Sequence, residues 1–496
     1  MQNQGLAQQL FLAKQVREHE AKAATLAGVS MFTLMERAGH AVFSQCIEHF
    51  PNAQRYFILV GYGNNAGDGY IVASLAKQAG KEVIVLAADT SRHLTGDALT
   101  AQQRWQALGG EVESYTQGRL NNADIIIDGL LGTGINSQVR RPFLTMIEDA
   151  NAQPSAIVAI DLPSGIDADT GQPLGIAIQA TITVTFVGIK QGLVTGAGRS
   201  AAGKIIFNDL GIAESFTKLV DASATLINIT SFKPLAARSR NSHKGNHGKL
   251  LCVGGNQGTS GAIRLSSEAA LRTGAAMVRV YTHQSSVQVV SRGRPELMVS
   301  CDSLSAALAW ANCVIIGPGL GQDSWAQIAF EQVIQYCLAN NLPLVIDADG
   351  LNLLAKHVLE YRLKNCIITP HAGEASRLMK VSIAEIEANR FQSATDLAKR
   401  YTSTSVLKGA GSLIANGQQT WLCENGNPAL AVGGSGDVLT GIIGALLAQG
   451  FAVDQAACYG VTLHAKAADI LAEREGERGM LPSDLFAIVR QLINGK

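Results

Sequence analysis

The chain has 496 residues, 47% of them hydrophobic and 16% charged, and its 40 basic side chains are balanced by 40 acidic ones. That length predicts two or more globular domains, and the charge balance supplies no polybasic surface for nucleic acid or an anionic membrane. No segment approaches the ~20 apolar residues of a membrane span, and the opening MQNQGLAQQLFLAKQ lacks the basic region and apolar run of a signal peptide. The 8 cysteines are dispersed and none forms CxxC. They are expected to be reduced core residues of a soluble cytoplasmic protein.

Apolar positions recur at helical spacing through VREHEAKAATL and MFTLMERAGHAVFSQCI, so roughly the first 50 residues are predicted helical. The short apolar runs YFILV (56–60), EVIVLA (82–87), ADIIID (123–128) and AIVAID (155–160) follow, each with a Gly or Pro turn and most with a helical pattern behind it. Fully apolar strands alternating with helices predict a parallel sheet covered on both faces. TITVTF (181–186) and KIIFNDLGI (204–212) close this half. Residues 213–240 carry no strong period, and RSRNSHKGNHGK (238–249) is polar and basic, which sets a boundary dividing the chain into 1–225 and 226–496. A second α/β series then runs through LLCVGG, MVRVYT, CVIIGPGLG, PLVIDADG, CIITPHAGE and SVLKGAGS, with two helices at its end.

In the first half, YFILV leads into GYGNNAGDGY, where Gly61, Gly63 and Ala66 have the spacing of a dinucleotide fingerprint. Asp68 argues against that use, because its carboxylate would face a pyrophosphate. With Asn64 and Asn65 it instead offers oxygens suited to a cation, to sugar hydroxyls or to an amide. Asp128 ends another strand, and Asp161 and Ser164 follow a third. Loops after parallel strands line one crevice, so these three loops should converge. Asp161 is the best acid/base candidate, since a buried carboxylate with a raised pKa suits proton transfer near neutrality. Asp167 and Asp169 are read as turn formers and Lys190 as a solvated surface lysine. GRSAAGK (198–204) has P-loop spacing, but Ile205 replaces the required hydroxyl and a strand follows, so a P-loop is rejected.

In the second half, GGSGDVLTG (433–441) places glycines and Asp437 at the start of an apolar helix. Free amides and the positive end of the helix dipole favour a phosphate there, and the carboxylate supplies a base. Nucleotide-driven chemistry on a hydroxyl group is the expectation. Lys408, Gly409 and Gly411 in LKGAGS can wrap phosphates with a point charge and amides. Thr369 and Pro370 are read as N-cap and first helical residue, which would place His371 in the first turn. Asn256, Gln257, Gly261 and Ala262 form a candidate opposite wall. No zinc spacing and no nucleophile elbow is evident, which points to phosphate-assisted chemistry.

These motifs resemble the bifunctional NAD(P)H-hydrate repair enzymes, in which an epimerase domain precedes an ADP-dependent dehydratase domain. LMERAG (34–39), GNNAGDG (63–69), DGLLGTG (128–134) and DLPSGIDADTG (161–171) are similar to the first domain's motifs. HKGNHGKLLCVGG (243–255), PGLG (318–321), TPHAGEASRL (369–378), KGAGS (408–412) and GGSGDVLTG (433–441) are similar to the second's. The resemblance implies an α/β protein of two domains, a Rossmann-like three-layer sandwich followed by a ribokinase-like domain. It implies that Asn64, Asn65, Ala66, Gly67 and Asp68, with Gly132, Thr133, Gly134, Ile135, Asn136, Ser137 and Gln138, hold the hydrated dinucleotide, Asp161 being the catalytic contact. Asn65, Asp128 and Ser164 would bind K+. In the second domain Ala262, Gly319, Gly321, His371 and Asp437 would contact the hydrate, with Asp437 catalytic. Lys408, Gly409, Ala410, Gly411, Ser412 and Gly436 would contact ADP, with Mg2+ assisting. Ala66 stands where the family's NNGGDG has its first glycine, and its methyl would crowd a backbone that needed positive φ. The expected substrates are NADHX, NADPHX and ADP, handled by a homo-oligomer without nucleic-acid or membrane partners. GSGD is shared with ribokinase-like kinases, so a small-molecule kinase fused to a dinucleotide-binding accessory domain is the alternative.

Overall fold

The computed structural model describes residues 5–356 and 362–496. The chain forms two compact units, the first ending at Thr225 and the second beginning at Leu226. Among the described residues no helix is long and apolar enough to cross a membrane. All eight cysteines are free, and all but Cys301 are buried.

The first unit contains β1 (Gln9–Phe11), β2 (Arg55–Val60), β3 (Glu82–Ala87), β4 (Val112–Ser114), β5 (Ile125–Gly129), β6 (Ala156–Ile160), β7 (Ile182–Phe186), β8 (Ile189–Lys190) and β9 (Lys204–Asn208). The main sheet has the order β4-β3-β2-β5-β6-β7-β9, all parallel. Strand alternation builds two cores from one strand. Tyr56, Ile58 and Val60 of β2 pack with Leu34, Val42 and Val72 on one face, while Phe57 and Leu59 join Ile126, Met146 and Ile147 on the other. β1 lies outside this sheet and pairs in parallel with β8. The strand order reverses between β2 and β5, and the crevice at such a switch point is the natural ligand site of an open parallel sheet. Gly61 lets the two chains approach there, since a Cβ on it would come within 1.9 Å of the Leu130 carbonyl oxygen.

After β10 (Ala224–Ile227), the second unit contains β11 (Lys249–Val253), β12 (Met277–Tyr281), β13 (Leu297–Ser300), β14 (Cys313–Ile316), β15 (Leu344–Ile346), β16 (Cys366–Ile368), β17 (Thr404–Leu407), β18 (Leu413–Ala415) and β19 (Thr420–Cys423). Its parallel run is β13-β12-β11-β14-β15-β16-β17, extended by antiparallel β18 and β19. The order reverses between β11 and β14, a second switch point. Helices Ser260–Thr273, Ser435–Ala448 and Val453–Glu475 bury one face of this sheet around Leu250, Cys252 and Ile315. The first two touch backbone to backbone, because a Cβ on Gly441 would lie 2.0 Å from the Ser266 carbonyl oxygen.

Candidate active sites

The first switch-point crevice is a cavity of about 600 Å³. Its polar wall includes Asn64, Asn65, Asp68, Asp161 and Lys190, with the Gly132–Ser137 loop at one side and Met31, Leu34, Met35 and Phe143 as apolar lining. β2 delivers the asparagines by running through Gly63, the N-cap, into helix Asn64–Gln78. Ala66 is the third residue of that helix, fully buried, and is not among the residues with positive φ. Its methyl therefore meets no backbone strain. Ala66 and Gly67 stand behind the cavity wall and Gln138 turns toward Gly175, so these three do not line it.

The loops after β2, β5 and β6 do converge. Asp128 is fully buried; its Oδ1 accepts from the Ser164 hydroxyl (2.5 Å) and its Oδ2 from the Ser164 amide (2.8 Å). The Leu131 amide donates to Ser164 Oγ (2.9 Å), and Asn65 Nδ2 donates to the Leu131 carbonyl (3.4 Å). Burial pushes the Asp128 carboxyl up to about 6, against its hydrogen bonds from Ser164 and Leu130, so it is still ionised at neutral pH. One carboxylate among neutral side-chain and backbone oxygens is a donor set that fits a weakly hydrated monovalent cation.

Asp161 sits just past β6 with φ 64°, in the left-handed region. Its Oδ1 accepts from the Thr185 hydroxyl (3.1 Å), the Phe186 amide (3.1 Å) and the Lys190 ammonium. Oδ2 has no protein donor among the described residues. Lys190 corrects the expectation of a solvated lysine: its side chain is 1% exposed and also donates to Thr185 Oγ1 (3.2 Å) and the Phe186 carbonyl (3.0 Å). A lysine is buried only when paired, and Asp161 is the partner that allows it. Two further carboxyls of this crevice are raised. Burial, reinforced by Asp161 and Glu20, lifts Asp68 well above the usual carboxylate range. Glu20 rises by burial as well, with Lys190 opposing and Asp161 adding to the rise.

Asp167 forms the expected turn, accepting from the Asp169 amide (3.0 Å) and the Thr170 amide (2.8 Å). Asp169 accepts the Ala13 amide (2.6 Å). The GRSAAGK stretch forms the short helix Gly196–Ala202 running into β9, the reverse of a strand-to-helix phosphate loop.

In the second unit, Gly434 (φ 95°) is the N-cap of helix Ser435–Ala448, which puts Gly436 and Asp437 in the first turn where amides have no intrahelical acceptor. The Asp437 carboxylate makes no protein hydrogen bond among the described residues. Burial pushes it up to about 7, helped by Asp347, opposed by Lys408, and raised further by Asp349 and Glu374. Lys408, at the end of β17, donates to Asp347 Oδ1 (2.9 Å) and lies 3.7 Å from Glu374. Burial disfavours its ammonium, yet the Asp347 and Glu374 charges hold its pKa above the ordinary lysine value. Asp347 in turn accepts the Thr440 hydroxyl (2.7 Å), which fastens the Asp437 helix to the end of β15.

Around this centre, Gly319 lies against Thr259 and Ala262, and the Gly321 amide donates to Asp349 (2.9 Å). Asn256 ties the two strand-end loops together through Leu320 (3.1 Å) and Asp323 (3.0 Å). The helix Ala372–Met379 starts two residues later than expected, with His371 itself as its N-cap and the His371 Nδ1 accepting the Gly373 amide (3.0 Å). Thr369 does not cap the helix because its buried hydroxyl is used on the Ile346 carbonyl (3.3 Å). Burial, with Lys408 and Arg377, lowers the His371 pKa, and Asp347 opposes the shift.

Gly409 and Ala410 are exposed at the tip of their loop while Gly411 is buried. Arg390, 1% exposed, holds that loop from behind through the carbonyls of Leu407 (3.4 Å), Lys408 (3.3 Å) and Gly411 (3.4 Å). His464 lies 3.3 Å from Ser435 Oγ and is neutral, its pKa pushed by burial to about 4. No group of three or more His, Cys, Asp or Glu placed to hold a metal occurs among the described residues. Lys190, Glu20, Asp347, Arg390 and His464 are the residues that sequence reasoning missed or misread. Of these only Asp347 had a signal, an acid ending an apolar strand as in Asp128.

The profile of the family described as NAD(P)H-hydrate dehydratase matches residues 250–491, and that of the YjeF-related protein N-terminus matches residues 32–192. The bifunctional NAD(P)H-hydrate repair enzyme Nnr of Escherichia coli (strain K12) is 43% identical over 98% of this chain and 94% of its own. The protein of the same name from Coxiella burnetii is 40% identical over 98% of this chain and 99% of its own. A solved ADP/ATP-dependent NAD(P)H-hydrate dehydratase from Bacillus subtilis, co-crystallised with ATP and Mg2+, is 29% identical, covering 53% of this chain and 94% of that one at a TM-score of 0.48.

Proposed function

The chain belongs to the bifunctional NAD(P)H-hydrate repair enzymes, and on that premise we propose how its two crevices divide the work. The first unit is the epimerase, the second the nucleotide-dependent dehydratase. Membership sets aside the alternative of a small-molecule kinase with an accessory domain.

The observation that carries the dehydratase reading is Asp437: an unpartnered carboxylate, raised to about 7, at the start of a helix whose first amides favour phosphate. Water added at C6 of the nicotinamide ring leaves a hydroxyl, which is a poor leaving group. Asp437 takes the hydroxyl proton as the oxygen attacks the β-phosphorus of ADP, and AMP departs with the electrons of the broken P–O bond. The C6–O bond of the phosphorylated hydrate then breaks, driven by the ring nitrogen lone pair. Loss of the C5 proton restores the reduced ring and releases phosphate. A base near neutral pKa is efficient at physiological pH. The Gly436 amide and the Lys408–Gly411 loop oppose negative charge as it moves onto the phosphates. Magnesium, when bound, neutralises phosphate charge. It would be held by phosphate oxygens together with a carboxylate such as Asp349, one of the acids around Asp437.

In the epimerase crevice, Lys190 fixes Asp161 by one oxygen and leaves Oδ2 for the substrate. Asp161 assists ring opening and closure at C6 by holding and returning a proton, and Asn65, Asp128 and Ser164 would hold K+, whose charge would tie the adjoining loops together. The free cysteines support a cytoplasmic setting.

The decisive experiment mixes both NADHX epimers with the protein, ADP, Mg2+ and K+. Full recovery of reduced-nicotinamide absorbance is expected. Recovery that stops at the S fraction would remove the epimerase. If no NADH returns in any mixture, the dehydratase reading fails.

A further inference from the structure

All the groups described above in the second unit lie past the C-terminal ends of its strands. At the opposite edge, before the first residues of β11, β12 and β13, is a cavity of about 760 Å³ that this chemistry does not use. Strands of about five residues at ~3.3 Å per residue put the two edges roughly 17 Å apart. Four arginines line this cavity, Arg238, Arg272, Arg294 and Arg490, against two acids, Glu268 and Glu296.

The pairing inside it leaves positive charge over. Glu268, mostly buried, binds Arg294 and lies 4.0 Å from Arg272. Arg238 donates to the Gly274 carbonyl (2.6 Å), and Arg490 makes no side-chain bond among the described residues. Two donor-capable nitrogens, Arg294 Nε and His247 Nε2, are shielded from solvent without a hydrogen-bond partner among the described residues. A buried polar atom of this kind destabilises the fold unless something arrives to satisfy it. Guanidinium groups are the side chains best suited to phosphate oxygens. One wall is apolar, formed by Leu235, Leu271, Phe451 and Ile493, and gives a non-polar or aromatic body somewhere to rest. The volume lies in the range of small-molecule sites and is far larger than an inorganic ion needs.

We propose that this cavity is a second ligand site, for a phosphorylated metabolite of about mononucleotide size, distinct from the dehydratase centre. The phosphate lies among Arg272, Arg294 and Arg490, and the organic body packs on Phe451 and Leu271.

The test is calorimetric titration of full-length protein, saturated with ADP so that the nucleotide centre is filled, with UMP and separately with inorganic phosphate. One UMP per chain is expected, bound more tightly than phosphate, and weakened about tenfold or more by Arg490→Glu or Arg272→Glu. Both arginines are at the surface, so unchanged melting curves verify that the variants fold. No saturable UMP binding, or binding that neither charge reversal weakens, overturns the site. UMP binding no tighter than phosphate overturns its assignment to an organic ligand.

Discussion

Each crevice contains a lysine among several carboxylates, but the lysine has a different partner in each. In the first unit Lys190 grips Asp161, the proposed catalytic acid itself, and the raised carboxyls are its neighbours Asp68 and Glu20. In the second Lys408 grips Asp347, a bystander, and Asp437 is left unpaired and raised to about 7. An aspartate anchored by a lysine has one oxygen fixed and the other left to meet the substrate. An aspartate left near neutrality by burial and like charges is a base that can be loaded and unloaded.

The sharpest way to break this contrast is Asp437→Asn. Dehydration should fall by about 10²–10⁴-fold, the usual range for a lost general base, while epimerisation, followed by exchange between the two NADHX epimers, is unchanged. Loss of both activities would contradict two separate centres. Lys190→Met should give the mirror result, with epimerisation down roughly 10²-fold and dehydration of pure S-NADHX intact. Removing one member of a buried pair also costs about 3–5 kcal/mol, so melting of the first unit should drop with it. A variant that retains full epimerisation would reduce Lys190 to a structural role.

The pH dependence tests the second half of the contrast. Dehydration should rise as pH climbs through about 7, where Asp437 loses its proton. Asp347→Asn removes a charge that raises Asp437 and releases Lys408 to oppose it less encumbered, so the acid limb should move to lower pH. A limb that stays in place would assign it to another group. Stability should carry the opposite sign. Between the ordinary carboxylate value of 3.8 and about 7 the folded chain keeps a proton that the unfolded chain has released, so Asp437 lowers stability as pH rises through that window. Asp437→Asn should therefore melt higher than the parent at pH 8, by about 2–4 °C for each kcal/mol recovered, with the gain vanishing toward pH 4. The smallest effect is expected of Ala66→Gly, which restores the family's usual glycine. It should leave epimerisation unchanged and cost about 1 kcal/mol, because Ala66 is an unstrained helical residue.

The sequence makes legible what the backbone declares locally. Asp128, Asp161 and Asp437 follow apolar strands or open a helix, and parallel strand ends must share a crevice. Asp347 carries the same signature in PLVIDADG and was readable by the same rule. Lys190 was not, because in TFVGIKQGL nothing distinguishes a solvated lysine from one whose partner sits 29 residues earlier. Glu20 and Arg390 are of the same kind, polar positions on helices whose burial is decided by elements far along the chain. The start of the helix behind His371 lies two residues later than its sequence suggests because Thr369 finds a competing acceptor in Ile346.

Asp161 holds its backbone at φ 64°. Glycine, asparagine and aspartate enter that conformation at little cost, and other residues pay for it. Of those three, only aspartate brings the charge that lets Lys190 stay buried. Random change at this codon is thus sieved twice, first by chain geometry and then by charge. A lineage abandoning epimerisation should drift through asparagine or glycine here, with Lys190 replaced by an uncharged side chain soon after.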